Sequence, residues 1–129
     1  MLLQIEVIKL SDKNWIIELF KSIDEKNIEK FSSFLSDDCA FRFGNFPESH
    51  GADEVSKFVG GFFDSIESLK HEIVDIWAVP GGAVCHGMVS YVRHDKTVLS
   101  VPFSNIFKSN NGKIHKYLIF ADTSQLYAQ

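Results

Sequence analysis

The segment "GGAVCHGMVSYVRHDKTVLSVPFSNIFKSNNGKIHKYLIFAD", residues 81–122, decides the fold. It contains runs of β-branched and aromatic residues separated by the short polar stretches "DK" and "SNNG", a pattern typical of strands joined by tight turns. The preceding run "KHEIVDIWAV", residues 70–79, has the same character and ends before "PGG". The sequence therefore predicts four consecutive strands in an antiparallel meander.

Two turn lengths determine which side chains of these strands share a face. We expect a two-residue turn at Asp95–Lys96 and a four-residue turn at Ser109–Gly112, and side chains alternate along a strand. The first predicted face, which we expect to line a pocket, carries Cys85, Gly87, Val89, Tyr91, Ser100, Pro102, Ser104, Ile106, His115, Tyr117, Ile119 and Ala121. The second face carries Val84, His86, Met88, Ser90, Val92, Leu99, Val101, Phe103, Asn105, Phe107, Lys116, Leu118 and Phe120.

Three helices are predicted upstream of the meander. Apolar residues recur every three or four positions from residue 15 to 23, after a possible cap at Ser11 or Asp12, and again from 28 to 35. The run "CAFRF" at 39–43 predicts a strand, and residues 51–69 predict a third helix in which Gly60 and Gly61 suggest close packing or a bend. No linker or repeat divides the chain, so residues 1–129 form one α+β domain.

The first strand ends in "FRFGNFPESHGADEV", residues 41–55, where a polar side chain stands at a corner. Asn45 lies between two phenylalanines and ahead of Pro47, which fixes the backbone direction. Asn45 is either a polar anchor for a ligand or water at the rim of a pocket, or the residue that closes an Asx turn. The sequence leaves both interpretations open.

The composition limits the classes of partner. The net charge is −4 and the lysines are scattered, so no basic stripe favours nucleic acid, and no run is long enough to span a membrane. Cys39 and Cys85 lack metal-ligand spacing, which favours reduced thiols in a cytoplasmic protein, either buried and inert or catalytic. The 12 phenylalanines among 129 residues indicate a thick core, an apolar cavity with aromatic walls, or both.

Both predicted faces of the sheet carry too many apolar side chains to be exposed to solvent. Three helices can cover only one of them, so we expect the outer face to be covered by a second copy in a homodimer. The alternative is that the N-terminal segment folds over that face as an added strand or lid.

The element order, "FRFGNFP", "HEIVDIW", "VPFSNIFK" and the ending "GKIHKYLIFAD" resemble the SnoaL-like branch of the nuclear transport factor 2-like superfamily. The resemblance implies a cone-shaped, curved antiparallel sheet wrapped around three N-terminal helices, with an apolar cavity inside. It spans nearly the whole chain. The superfamily contains cyclases, isomerases, hydrolases and non-catalytic carriers, so the resemblance implies a fold more than an activity.

Two relatives have catalytic residues that can be compared with this chain. Limonene epoxide hydrolase resembles it at "NFP", where Asn45 is present, but its tyrosine and last-strand aspartate correspond to Phe43 and Ile119. Ketosteroid isomerase is similar in fold, but its base region reads "GNFP" here, and its second acid falls near Ser100 or Ser104. The resemblance therefore implies a pocket without most of these catalytic acids.

The remaining polar residues give the candidate site. His115 or Asp122 is the predicted catalytic base, although His115 could be a solvent-exposed histidine and Asp122 could cap the following turn. The predicted substrate-binding residues are Asn45, Phe43, Tyr91, Ser104, Tyr117, Ile119 and His71. His71 could instead cap a strand, and the two tyrosines could serve only in core packing.

The predicted function is binding of a small hydrophobic molecule with few polar groups. If the protein is an enzyme, it is a cyclase or isomerase that transfers protons without a cofactor. No feature implies a metal, nucleotide or flavin. The alternatives are a non-catalytic carrier or sensor, and a dimeric protein-interaction module.

Overall fold

The computed structural model describes the backbone of residues 2–127 and the side chains of residues 13–127. In chain order the elements are α1 (Leu2–Asp24), α2 (Ile28–Ser32), β1 (Leu35–Phe43), β2 (Ser49–His50), α3 (Ala52–Asp64), β3 (Ser68–Val79), β4 (Gly82–Val92), β5 (Val98–Asn110) and β6 (Lys113–Ala121). The predicted α+β class is confirmed. In the described part of the chain, no helix is long and apolar enough to cross a membrane.

The six strands form one curved, unclosed sheet in the order β2-β1-β6-β5-β4-β3. The predicted meander from β3 to β6 is antiparallel throughout. The first strand differs, because β1 pairs with β6 in parallel. The sheet is therefore mixed, and the prediction of a purely antiparallel sheet is wrong in that one pairing.

The helices pack on the inner, concave face of the sheet. α1 contacts β3, α3 contacts β1, and α2 contacts the other two helices. α1 begins at Leu2, so the predicted start at residue 11 or 12 is wrong, and so is the alternative of an added N-terminal strand; the side chains of Ser11 and Asp12 lie outside the described residues. Gly60 and Gly61 lie in α3 with open space around them, so close packing does not explain them.

α1 ends in a Schellman motif that brings the chain into α2. Lys26 adopts a positive φ of 54°, its N–H donates to the Ile23 carbonyl, and the N–H of Asn27 donates to the Ser22 carbonyl. The Lys26 amine also donates to the carbonyl oxygen of Ile66 at 2.7 Å. These bonds fix the position of the last turn of α1 beside the start of β3.

The predicted faces of β5 are wrong, because the turn before it is longer than expected. Val92 pairs with Val98, and within the intervening loop the N–H of Arg93 donates to Thr97 while that of Lys96 donates to Arg93. Lys96 has a φ of 75°, as in a three-residue hairpin turn. The one-residue difference in register turns every β5 side chain to the opposite face.

The inner face therefore differs from the prediction along one strand. β5 contributes Val101, Phe103, Asn105 and Phe107 to the core, whereas Ser104 lies on the outer face opposite His86 and Phe120. On β6 the predicted inner residues Tyr117, Ile119 and Ala121 pair with inner β5 residues. The placement of Ser104 in the pocket is wrong.

His115 lies outside the regular alternation. Lys116 pairs with Lys108 and Ile114 pairs with Ser109, so His115 is the extra residue of a β-bulge. The bulge follows a two-residue turn at Asn111 and Gly112, which both have positive φ, as a type I′ turn requires. Ile114 is buried in place of the predicted His115, which is half-buried.

Candidate functional site

A small cavity lies between the helices and the concave face of the sheet. Its volume is about 40 Å³, enough for a water molecule or two but far below the roughly 300 Å³ or more of a typical ligand pocket. Five predicted substrate-binding residues line it, namely Phe43, His71, Tyr91, Tyr117 and Ile119. The other lining residues are Ile23, Phe31, Phe41, Phe58, Val59, Phe62, Phe63, Leu69, Val89, Phe103 and Asn105.

A carboxylate from α1 holds the one histidine in this cavity. Asp24 Oδ1 lies 2.6 Å from His71 Nδ1, and Asp24 Oδ2 accepts the backbone N–H of His71 at 3.0 Å. The two side chains are 24% and 10% exposed. A carboxylate bound to one ring nitrogen fixes the tautomer and leaves the other nitrogen, Nε2, as the basic one.

Two aromatic rings fix the orientation of the imidazole. The ring centroid of His71 lies 4.7 Å from that of Phe20 and 5.1 Å from that of Phe103. Among the described side chains, none hydrogen-bonds to His71 Nε2. His71 is therefore fixed by Asp24 on one side and by two aromatic rings on the other, in the wall of the cavity. This position agrees with the lining interpretation rather than the capping one.

Sequence reasoning missed Asp24, which is the partner of His71. A carboxylate in the last turn of a helix is disfavoured by the helix dipole, and Asp24 also follows Phe20 by four residues on the buried stripe of α1. These two features could have identified it. What the sequence does not show is that the end of α1 lies beside the start of β3.

Two tyrosines supply the hydroxyl groups of the cavity. Tyr91 and Tyr117 are almost completely buried, and burial raises the pKa of each phenol above its ordinary value. Nearby Tyr127 adds to the shift of the Tyr91 pKa. Both phenols therefore stay protonated at neutral pH and can donate hydrogen bonds.

Asn105 is the remaining polar residue in the cavity wall. It is 2% exposed, and its Oδ1 atom has no hydrogen-bond partner among the described residues. We predicted it on the outer face, so sequence reasoning missed it for the same reason that it misplaced Ser104. Cys85 pairs with it on β4, and burial raises the pKa of that thiol to about 12, which keeps it protonated and unreactive.

Asn45 and Asp122 lie in a separate, open cleft of about 880 Å³ at the ends of β1 and β6. The side chains of Ile119, Phe43 and Phe46 stand between the cleft and the cavity, since Ile119 lines both and the rings of Phe43 and Phe46 are in contact. Asn45 is exposed. It cannot close an Asx turn onto residue 47, because proline has no N–H; the turn is closed instead by the N–H of Phe46, which donates to Phe43.

The two predicted catalytic residues do not line the cavity. Asp122 Oδ1 accepts the backbone N–H of Ser124 at 3.0 Å, as in the turn-capping interpretation, and hydrogen bonds from Ser124 lower the pKa of this exposed carboxyl group. A lowered pKa makes Asp122 a weaker base. His115 lies at the bulge in β6. Among the described side chains, no three potential ligands could hold a metal ion.

Comparison with solved structures identifies the fold. A candidate polyketide cyclase from Xanthomonas campestris pv. campestris aligns with a TM-score of 0.82 at 16% identity, covering 92% of this chain and 95% of that one. A protein with a ketosteroid isomerase-like fold from Catenulispora acidiphila gives 0.80 at 12% identity, with coverages of 88% and 89%. An epoxide hydrolase from M. tuberculosis that resembles limonene epoxide hydrolase gives 0.74 at 11%, with coverages of 87% and 83%.

Comparison by sequence finds a protein family that matches most of the chain. No curated protein matches the chain. The sequence profile of the SnoaL-like domain matches residues 16–117, which include the Asp24–His71 pair, all of β3, β4 and β5, and the first half of β6. The chain therefore belongs to the SnoaL-like domain family.

Proposed function

We propose that this protein is a cofactor-independent enzyme that moves a proton on a small, mostly apolar molecule, as an isomerase or cyclase does. The observation that supports the proposal is the Asp24–His71 pair, with its 2.6 Å contact, in the wall of a mostly apolar cavity. A histidine held by a carboxylate is a general base suited to neutral pH.

The side chains of the cavity have distinct roles in this reaction. His71 Nε2 removes a proton from the carbon next to a carbonyl group, and the electron pair of that C–H bond moves onto the carbonyl oxygen. The Asp24 carboxylate stabilises the imidazolium that forms. Tyr91 or Tyr117, protonated because its pKa is raised, donates a hydrogen bond to the developing oxyanion. The imidazolium then returns the proton to a different carbon.

The size of the cavity limits how the substrate enters. A cavity of about 40 Å³ cannot hold an organic substrate unless side chains move. The rings of Phe43, Phe46 and Phe58 are in mutual contact at the wall next to the open cleft, and Phe46 is partly exposed. Displacement of Phe43 together with Phe46 opens the cavity to the cleft, where Asn45 and Asp122 lie at the entrance.

Conversion of cyclohex-3-en-1-one to its conjugated isomer tests this proposal. The ketone is small and apolar, and isomerisation requires one proton to leave one carbon and return to another. We expect the unmodified protein to accelerate the rise in ultraviolet absorbance, and His71→Ala to reduce the rate by about 10²- to 10⁴-fold. Asp24→Asn should reduce it as well, because the amide cannot accept both N–H groups of His71.

The exposed His50 provides the control, because its imidazole lies at the surface beside Glu48 and does not line the cavity. His50→Ala should keep the rate of the unmodified protein. Equal rates for His71→Ala and His50→Ala, or no acceleration by the unmodified protein, would contradict the proposal. Loss of activity in His115→Ala alone would favour the base predicted from the sequence.

A carrier or sensor is the second candidate function. It is supported by the composition of the cavity wall. Twelve of the lining side chains are apolar, and only His71, Asn105, Tyr91 and Tyr117 carry a polar group. Retention of cyclohexenone in native mass spectrometry without isomerisation, unchanged in His71→Ala, would favour a carrier.

The outer face of the sheet is the interface of a homodimer in this proposal. It exposes Trp77, Val79, Met88 and Phe120, with Trp77 and Phe120 51% and 53% exposed, more apolar surface than a monomer usually leaves uncovered. The β3 edge carries Glu72 and Asp75, whereas β1, β5 and β6 present Arg42, Lys108 and Lys116 on the same face. In a two-fold symmetric dimer, the acidic β3 edge of one copy can lie over the basic strands of the other copy, and these opposite charges then form pairs.

A further inference from the structure

Asn105 is a buried amide that the fold does not satisfy. It lies in β5, where it pairs with Cys85 on one side and Ile119 on the other, and it contributes to the wall of the cavity that His71 also lines. The side chain of Asn105 is more than nine-tenths buried, and its Oδ1 atom has no hydrogen-bond partner among the described residues.

Folding alone gives no reason for an amide at this position. A buried acceptor without a protein donor loses its hydrogen bonds to bulk water and gains none from the chain in return. The neighbouring inner positions of β5 are the apolar Phe103 and Phe107, so a leucine at 105 would continue the core. A polar group that weakens the fold and faces a cavity is typical of a ligand-binding position.

We propose that Asn105 binds a hydroxyl group of the ligand, so that the ligand class is a small, mostly apolar alcohol, phenol or enol. The ligand hydroxyl donates to Oδ1, and the apolar remainder contacts the phenylalanine rings of the cavity. This inference rests on the proposed function only for the location of the site, because it concerns binding and does not require any proton transfer by His71.

Binding of 4-fluorophenol and fluorobenzene, followed by ¹⁹F NMR, tests the inference. The two probes differ only in the hydroxyl group. We expect the unmodified protein to bind 4-fluorophenol about 10-fold more tightly than fluorobenzene, as one hydrogen bond to a buried partner allows. Asn105→Leu should abolish this preference by weakening 4-fluorophenol binding, while fluorobenzene binding stays within about 2-fold.

Ser56 provides a matched control, because within residues 13–127 its Oγ is also a buried side-chain atom without a hydrogen-bond partner, and it does not line the cavity. Ser56→Ala should keep the preference for 4-fluorophenol. The binding preference of the unmodified protein is measured without turnover, so it can be present when the isomerase reaction is absent, and the two proposals fail separately.

Three results would overturn the inference. One is equal binding of the two probes to the unmodified protein, a measurement that needs no variant to fold. Another is a preference that persists in Asn105→Leu, which would assign the hydroxyl to His71 or a tyrosine. The third is no binding of either probe, which would leave water as the only occupant of the cavity.

Discussion

Asp24 and His71 illustrate which part of the site a sequence pattern can reveal. The resemblance to the SnoaL-like family and the position of His71 at the start of a strand allow a lining or a capping role, and the structure places His71 in the cavity wall. Its partner comes from the end of α1, and the contact depends on how the Schellman motif at Lys26 directs the chain. Such a pairing of distant residues has no local signal, whereas Tyr91 and Tyr117 were identified from alternation alone.

Four buried acidic groups should make the protein sensitive to alkaline pH. Burial raises the pKa of Cys39 to about 11 and that of Cys85 to about 12, and it raises the phenol pKa values of Tyr91 and Tyr117. In the unfolded chain these groups lose their protons near pH 8.5 and pH 10. Above those values the folded state holds more protons, so the free energy of unfolding falls as pH rises.

We expect the free energy of unfolding to begin to fall above about pH 8.5 and to fall more steeply above about pH 10. Each group contributes at most about 1.4 kcal/mol per pH unit to this decrease. Urea unfolding at a series of pH values from 7 to 11 measures it. Tyr117→Phe should reduce the slope above pH 10, whereas Tyr127→Phe, at an exposed tyrosine that adds only a secondary contribution to the raised pKa of Tyr91, should reduce it less. An identical slope in both variants would contradict this account.

The strands show how one turn decides the composition of the cavity. The sequence predicted all four strands of the meander, the inner residues of β4, and those of β6 apart from His115, because these follow from hydrophobic alternation. It missed the inner face of β5, because Lys96 takes a positive φ that glycine would normally signal. The same error hid Asn105 and brought Ser104 into the predicted pocket.

Gly87 allows β3 to approach β4 where the sheet curves. Val74 is the extra residue of a bulge opposite Gly87 and His86, and a Cβ atom at residue 87 would overlap the backbone carbonyl oxygen of Glu72. Gly87→Ala should therefore lower the free energy of unfolding by about 3 kcal/mol, because backbone must shift to make room. Urea unfolding monitored by circular dichroism gives the value.

The matched control for this variant is Gly61→Ala in α3, where an added Cβ meets no atom within 4 Å. Alanine there should raise the free energy of unfolding by about 0.5 to 1 kcal/mol, because it reduces the freedom of the unfolded chain and favours the helix. Destabilisation by Gly61→Ala, or tolerance of Gly87→Ala, would show that the sheet and the helix pack differently.

The assembled protein should be a dimer if the outer face has the role proposed above. Ile106 lies in the middle of that face, between Val84 and Leu118 on the adjacent strands. Ile106→Lys would place two like charges in an apolar interface, so we expect a change from about twice the chain mass of 14.6 kDa to that mass itself. Light scattering coupled to size-exclusion chromatography measures the difference.

Ile17→Lys is the control, since Ile17 is an exposed isoleucine on α1 and not on the sheet. It should leave the dimer intact. A monomeric unmodified protein, or dissociation caused by both substitutions alike, would exclude an interface on the outer face of the sheet.

The parallel pairing of β1 with β6 also matters for biosynthesis. Residues 35–43 cannot complete their hydrogen bonds until residues 113–121 are available, and such distant pairing slows folding. On the ribosome, the nascent chain must carry β1 without its β6 partner, with the aromatic side of that strand open to chaperones, until residues 113–121 have been translated.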